Sequence, residues 1–535
     1  MKRILILLPL LSLFLSACGD DDADLERNLR QHVEFLASDE CDGRLPFTEG
    51  AQRAVAYLAS QMDSIGLVPV DGESGSYFQQ VPLVKITTEV QNEVTFRTPA
   101  GAMKEKYQEG YSFFTHSLDS EIDIKNAELV FAGYGIVAPE YGKDDYAGLE
   151  NPGNKIAVVI VNDPGLDSGT DYFRGNTMTY YGRWTYKFEE GARQGLGGVL
   201  IIHDDRGAGY GWSVARANKS RYVLDRQSNE YDIPLKGWLS NSCARELLSR
   251  SGYDPDSLFA AARRPDFKPF SLKSYVDVKM TSTLSRSQSP NVVGYIPSAD
   301  GSDESIVCVA HWDHLGHSTV PVNGDDLVNG ATDNATAVAW LLETARAFKK
   351  RGRLPKRNIV FLTPTCEEVG MYGSEHYASN PLFPSEKTVA VVNLDVIPLW
   401  GENNDVTITG WGYSSLDSLL AACAKKQDRY IMPDPDSHNG MFYRSDHLPF
   451  MRKGIPALFA KGWSDNRLHG KEWATEKIAD YWANVYHTPA DETHPETDDY
   501  AGLIQEVHLF YDVISRLADT DLWPQWSPDS EFQRQ

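Results

Sequence analysis

Three short apolar runs constrain this chain most, because each ends abruptly on an acid or an imidazole. Val307-Cys308-Val309-Ala310 runs into His311-Trp312-Asp313-His314, Val360-Phe361-Leu362-Thr363 leads to Glu367-Glu368, and Val391-Val392-Asn393-Leu394 ends at Asp395. Such runs read as strands buried on both faces, and in open α/β sheets functional groups gather just beyond the carboxyl ends of the strands. Between the first two runs, Gly330-Ala331-Thr332-Asp333-Asn334 precedes a segment to Lys350 whose Val338, Leu341, Leu342, Ala345 and Phe348 share one helical face. The chain after Ser289-Pro290-Asn291 therefore reads as α/β, with strands near 305–310, 358–363, 389–394, 406–409 and 455–460.

Upstream the pattern differs. Between Leu25 and Val70 the spacing predicts two helices, the second stopping at Gly66, followed by alternating strands at Tyr77–Val84 and Glu93–Arg97. A strand-rich stretch comes next, with apolar runs near 127–135, 155–161 and 197–202 and a short helix opening at Phe188. At 535 residues the chain exceeds what one hydrophobic core normally holds, so two or three domains are expected. Its formal charge of −24, without a basic patch, argues against a nucleic-acid partner.

At the N-terminus, Lys2 and Arg3 precede the apolar run Ile4–Leu15, which has signal-peptide proportions and is too short to span a bilayer. Leu15-Ser16-Ala17-Cys18-Gly19 resembles the lipobox of bacterial lipoproteins. The resemblance implies removal of residues 1–17, lipid on Cys18 and a flexible, charged tether over 18–25. It also implies a lipid-anchored place in the bacterial cell envelope, with Gly19 leaning towards the outer membrane, facing periplasm or exterior. The five other cysteines are odd in number and lack CxxC spacing, so neither a disulfide framework nor a thiolate zinc site is expected.

Taken singly, the chemical residues have ordinary readings: Asp333 as a helix cap, Glu367-Glu368 as a solvated loop, His487 as a hydrogen-bonded structural residue. Taken together they resemble the M28 family of zinc peptidases, whose members bind two zinc ions through a His, a bridging Asp, a Glu, an Asp and a His in that order. The resemblance implies His311, bridging Asp333, Glu368, Asp395 and His487 as ligands of two Zn²⁺, and Glu367 as general base. It further implies that Asp313 orients His311 and that Tyr486 helps to polarise the substrate carbonyl. Three carboxylates against four positive charges leave room for a hydroxide. The likeness extends to Asp42-Gly43-Arg44, Arg444-Ser445-Asp446-His447-Leu448-Pro449-Phe450 and Gly454-Ile455-Pro456-Ala457. Thr365, Cys366, Val396-Ile397-Pro398, Trp312 and Ala337 depart from the common pattern, and Trp312, Cys366 and Pro398 are expected beside the ligands, shaping the pocket.

The fold so implied is α/β: a three-layer, mixed-sheet zinc-exopeptidase domain carrying an inserted, mainly-β protease-associated domain. The expected divisions are 26–125 and 286–520 for the peptidase domain, 126–285 for the insertion and 521–535 for a tail. The expected activity is that of an aminopeptidase on peptide substrates. A carboxypeptidase or dipeptidase on the same scaffold, a one-zinc glutaminyl-cyclase-like enzyme and a silent binding protein are the alternatives. His314, His317, His438 and His447 stay outside the expected ligand set, and nothing in the sequence specifies an oligomeric state.

Overall fold

A computed structural model describes residues 16–216, 220–226 and 232–534; the leader before Ser16 and the side chain of Cys18 lie outside what is described. The chain divides into two units. One comprises Met1–Val81, Ser289–Pro433 and Ser445–Gln535, the other Pro82–Gln288 and Asp434–Arg444.

In the first unit, Ser305–Val309 lies between Asn358–Thr363 and Thr388–Asn393, parallel to both, and Ala457–Lys461 continues the parallel set beside Thr388–Asn393. Antiparallel strands flank this core. Val292–Ile296 pairs with Ile359–Thr363 on one side, and Asp405–Thr409 pairs with Ala457–Lys461 on the other. The result is a mixed sheet whose central strands all point their carboxyl ends the same way.

Both faces of those strands are buried, as their uninterrupted apolar sequence requires. Ile306, Cys308, Ala310, Ile359, Phe361, Ala390, Val392 and Leu394 join one core with residues of the helices Ser16–Leu36, Glu49–Ile65, Thr336–Lys350 and Ala501–Asp519. Val307, Val309, Val360, Leu362 and Val391, which alternate with them, are buried as well. In Thr336–Lys350 the expected face of Val338, Leu341, Leu342, Ala345 and Phe348 is buried, and Trp340 meets Phe510 edge-on at 5.6 Å. Each such aliphatic or aromatic side chain contributes about 1.5–3 kcal/mol on burial. Glu49–Ile65 starts at Thr48, whose hydroxyl accepts the Ala51 N–H at 3.2 Å, and stops at Gly66, where φ is +80°.

Two expectations about organisation differ from the structure. Residues 18–25 are the first turns of the helix Ser16–Leu36, not a flexible tether: Leu29, Val33 and Leu36 commit the segment to the core, and Asp24 pairs with Arg27 at 2.7 Å. The second unit begins at Pro82 rather than 126, because Tyr111–Phe114 pairs with Lys236–Leu239 and Glu93–Thr98 joins Gly101–Lys106 and Tyr275–Val276. The change to α/β expected at Ser289-Pro290-Asn291 coincides with the division between the units at Gln288 and Ser289, which lies inside a single 27-residue strand, Phe270–Ile296.

The second unit is built on parallel pairings of Lys155–Ile160 with Glu128–Phe131 and Gly198–Ile202, the last also pairing with Leu235–Leu239. The helix Trp184–Arg193 adds Phe188 to a core that includes Val159, Val199, Ile201 and Trp238. Among the described residues, no helix is long and apolar enough to cross a membrane.

Candidate metal centre

Three parallel strands deliver four of the candidate side chains to one end of the first unit's sheet. His311 follows Ser305–Val309 by two residues, Asp395 follows Thr388–Asn393 by two, and Glu367-Glu368 lie in the turn after Asn358–Thr363. Asp333 sits in a wide turn, Ala331–Ala335, ahead of the helix Thr336–Lys350 and does not cap it by a side-chain hydrogen bond. His487 comes from the loop after a wide turn at Tyr481–Val485.

These side chains converge on Asp333. Its Oδ1 lies 3.3 Å from His311 Nε2 and its Oδ2 lies 3.2 Å from His487 Nε2. His311 Nε2 is also 3.4 Å from Asp395 Oδ1 and 4.0 Å from Glu367 Oε2, while His487 Nε2 is 3.0 Å from Glu368 Oε2. Two overlapping groups of potential ligands result, His311-Asp333-Asp395 and His314-Asp333-Glu368, with Asp333 common to both. Asp395 is held from behind by the Ser445 hydroxyl, which donates to Oδ2 at 2.8 Å, and by Lys461 Nζ, which donates to its carbonyl at 2.7 Å.

Asp313 orients His311 by an unexpected route. The ring Nδ1 meets the Asp313 backbone carbonyl at 3.1 Å, while the carboxylate Oδ1 is 3.9 Å away and accepts the Glu367 N–H at 3.0 Å. One residue thus positions a ligand ring and the backbone of Glu367. Tyr486 stacks on His487, ring centroids 3.7 Å apart, and its principal charged neighbours are Asp333, Glu368, Glu367 and Asp395. Trp312 and Cys366 belong to the core rather than to a pocket wall: both are buried, and the Trp312 indole N–H donates to the Pro290 carbonyl at 3.0 Å.

Three residues act here that the sequence reading left out or left without a role. His314 Nδ1 lies 2.5 Å from Glu368 Oε1, opposite the side of that carboxylate which faces His487; its i,i+3 spacing from His311 was the available signal. Arg44, 1% exposed, donates to the carbonyls of Leu36, Trp312, Asn329 and Gly330 at 2.6–2.9 Å, tying the His311 segment to the turn before Asp333. Asp491 accepts the N–H groups of Thr332 and Asp333 at 2.9 and 3.0 Å, so the loop carrying His487 also holds the backbone of Asp333.

The backbone is strained where the donors sit. Cys366, Val396 and His487 have φ of +58°, +56° and +58°, a region that costs a non-glycine residue about 1–3 kcal/mol and that β-branched Val396 tolerates least. Gly330, at φ +61°, cannot be otherwise: a Cβ there would lie 2.3 Å from the Asp333 carbonyl oxygen and 2.5 Å from His314 Cδ2.

Electrostatically the centre lacks positive charge. Burial pushes the Glu367 carboxyl well above its ordinary range, with Asp446, Glu368 and Asp395 adding to the shift, and burial pushes Asp313 and Asp446 up to about 7. Burial opposes the charge of the two imidazoles, yet Asp395 and Asp333 hold His311 well up, and Glu368 and Asp333 hold His487 at about 10. Asp395 Oδ1, His487 Nε2 and His314 Nε2 are buried without a hydrogen-bond partner among the described residues. Unsatisfied imidazole nitrogens and carboxylate oxygens facing one another suit a divalent ion such as zinc, so the residues present fit the implied metal.

Fold and side chains together define an α/β protein with a cluster of carboxylates and imidazoles at its strand ends that could hold a metal ion. Residues 291–510, about two fifths of the chain, match Peptidase family M28. Among curated relatives, the leupeptin-inactivating enzyme 1 of Streptomyces exfoliatus is 30% identical over 181 residues, 33% of this chain and 37% of the relative. The mouse (Mus musculus) aminopeptidase NAALADL1 is 28% identical over 170 residues, 30% of this chain and 21% of the relative. The chain thus spans between a fifth and two fifths of the length of these relatives. Among solved structures, an aminopeptidase from Aneurinibacillus sp. strain AM-1 aligns over 95% of this chain and 97% of its own, at 19% identity and a TM-score of 0.47.

Proposed function

We propose that the protein is a zinc-dependent exopeptidase, an aminopeptidase, with two metal ions sharing Asp333. One would be held by His311, Asp333 and Asp395, the other by Asp333, Glu368 and His487. The observation that carries this reading is the division of Asp333 between two imidazoles, one at each carboxylate oxygen. The match of residues 291–510 to a peptidase family supports the substrate class.

When bound, zinc supplies a Lewis acid for the peptide carbonyl and makes water acidic enough to react at neutral pH. The protein's own groups do the rest. Glu367, its backbone fixed by Asp313 and its carboxylate 4.0 Å from His311 Nε2, takes the proton of the attacking water and returns it to the leaving amine. Asp313 and Ser445 fix the directions of His311 and Asp395, and Tyr486, stacked on His487, faces the developing oxyanion.

The test is metal analysis joined to a substrate panel. Two zinc ions per chain are expected, with cleavage of aminoacyl anilides and none of N-blocked analogues. Glu367→Ala should keep both metals and lose about 10²–10⁴-fold in kcat. One zinc per chain would sink the two-metal reading; trimming from the carboxyl end would replace aminopeptidase by carboxypeptidase. Attachment to the bacterial envelope through Cys18 is part of the same proposal. It rests on Leu15–Gly19 and is checked by labelling Cys18→Ala and the parent with a fatty-acid analogue in cells.

A further inference from the structure

The buried cations of the second unit are nearly all accounted for. Lys143 pairs with Asp145 at 2.9 Å and donates to the Ala262 carbonyl at 2.9 Å, and Lys187 donates to the carbonyls of Asn162 and Tyr181 at 2.9 and 2.6 Å. Arg183 is different. It is 6% exposed, its Nε is buried without a partner, and its guanidinium makes no hydrogen bond or ion pair among the described residues. Its recorded companion is the Trp184 ring, 6.0 Å away.

A second guanidinium stands close by. Arg444, half-buried and in the same unit, reaches the Ala208 carbonyl at 3.3 Å and Met441 Sδ at 3.8 Å, and its Cζ lies 5.6 Å from the centre of the Tyr210 ring. Both arginines lie against glycine backbone. A Cβ on Gly440 would meet Arg183 Cδ at 3.2 Å, and one on Gly209 would meet an Arg444 terminal nitrogen at 3.4 Å. Around Arg183 the principal charge partners are Arg444 and the tyrosines 210, 180 and 443, with no carboxylate among them. Burial, then Arg444, lowers Arg183 to about 9, so it remains charged at neutral pH.

An unpaired buried charge beside a like charge is costly, and an anion removes the cost at both arginines. The planar guanidinium fork matches a carboxylate two-pronged, and Tyr210 offers a hydroxyl donor with an apolar face, whereas the Tyr180 and Tyr443 hydroxyls already donate to Glu189 and to the Met178 carbonyl. We propose that Arg183, Arg444 and Tyr210 form a binding site for a small carboxylate, such as a peptide's free C-terminal group or acidic side chain presents. The site lies within the second unit and depends neither on the metal centre nor on peptide hydrolysis.

Calorimetric titration of the zinc-loaded full chain tests it, with N-acetylglycine as carboxylate, N-acetylglycinamide as its uncharged counterpart and inorganic phosphate as a third probe. N-acetylglycine should bind saturably at one site that Arg183→Met and Arg444→Gln each weaken at least tenfold, and the amide should not bind. Arg183→Met should also melt no lower than the parent without ligand, since it removes an unpaired charge. If Arg183→Met does not fold, Arg444→Gln, at a half-exposed position, decides alone. Binding that survives these substitutions, binding of phosphate but not N-acetylglycine, or no saturable binding would each overturn the proposal.

Discussion

The side chains that touch Asp333 matter no more than those that hold its backbone. Arg44 gathers the carbonyls of Trp312, Asn329 and Gly330, and Asp491 gathers the N–H groups of Thr332 and Asp333. Arg44→Met keeps the volume and removes every donor, so its effect should appear in metal affinity rather than in substrate specificity. We expect zinc affinity to fall about 10–100-fold, the range for loss of a group that orients ligands, as read by competition with a chromophoric chelator. Unchanged affinity would reduce Arg44 to a packing residue. These roles were not legible in the sequence for a physical reason. Donors at strand ends have a residue-type signature, but Arg44 and Asp491 act on backbone groups far away in the chain, and any residue can supply a carbonyl or an N–H.

At the scale of elements, strands and helices of the first unit followed their apolar periodicity closely, whereas partners did not. A period-two pattern says which face of a strand is buried but not which neighbour it pairs with. The strands expected at Tyr77–Val84 and Glu93–Arg97 can therefore be recognised but group with the peptidase domain on sequence alone, the strand Gly101–Lys106 goes unread, and the long strand Phe270–Ile296 hides behind Pro290. The aspartates at 20–24 read as a solvated run because the apolar positions that commit them to a helix come later, at Leu29, Val33 and Leu36. The helix Thr336–Lys350 is the element on which both the core and the Asp333 turn depend. Leu342→Ala within it should cost about 2–5 kcal/mol in denaturant unfolding, as for other fully buried leucines. Its folded fraction should still bind zinc, because the substitution leaves every donor in place. Loss below about 1 kcal/mol would mean that the core closes around the gap.

For the whole molecule, the buried acids make stability depend on pH and metal together. Asp313 and Asp446 have folded values of about 7, above the ordinary 3.8, so their contribution is full below about pH 4 and is lost as pH rises through 7. His487, raised from 6.5 to about 10, contributes fully below pH 6.5 and loses that contribution as pH rises through 10. Glu368, lowered to about 2, acts the other way but only below its ordinary value of 4.5. The trends of Asp313, Asp446 and His487 add to a decline between pH 5 and 9 in metal-free protein, where Glu368 contributes no slope. Melting temperatures measured in chelator should therefore fall across that range, and zinc should raise them most at the alkaline end. A flat profile in chelator would mean that the acids relax apart when metal is withdrawn.

The dependence on Arg44 has a further consequence for how the protein can be divided. The loops that carry the candidate ligands are braced by a residue that precedes all of them in the chain and belongs to a separate N-terminal stretch of the first unit. A cut in the exposed turns that follow, with both pieces still associated, leaves the brace in place; removing the N-terminal piece takes it away. The chain is thus suited to fragment complementation, in which a short N-terminal peptide containing Arg44 acts as a key and restored zinc binding reports that the lock has closed.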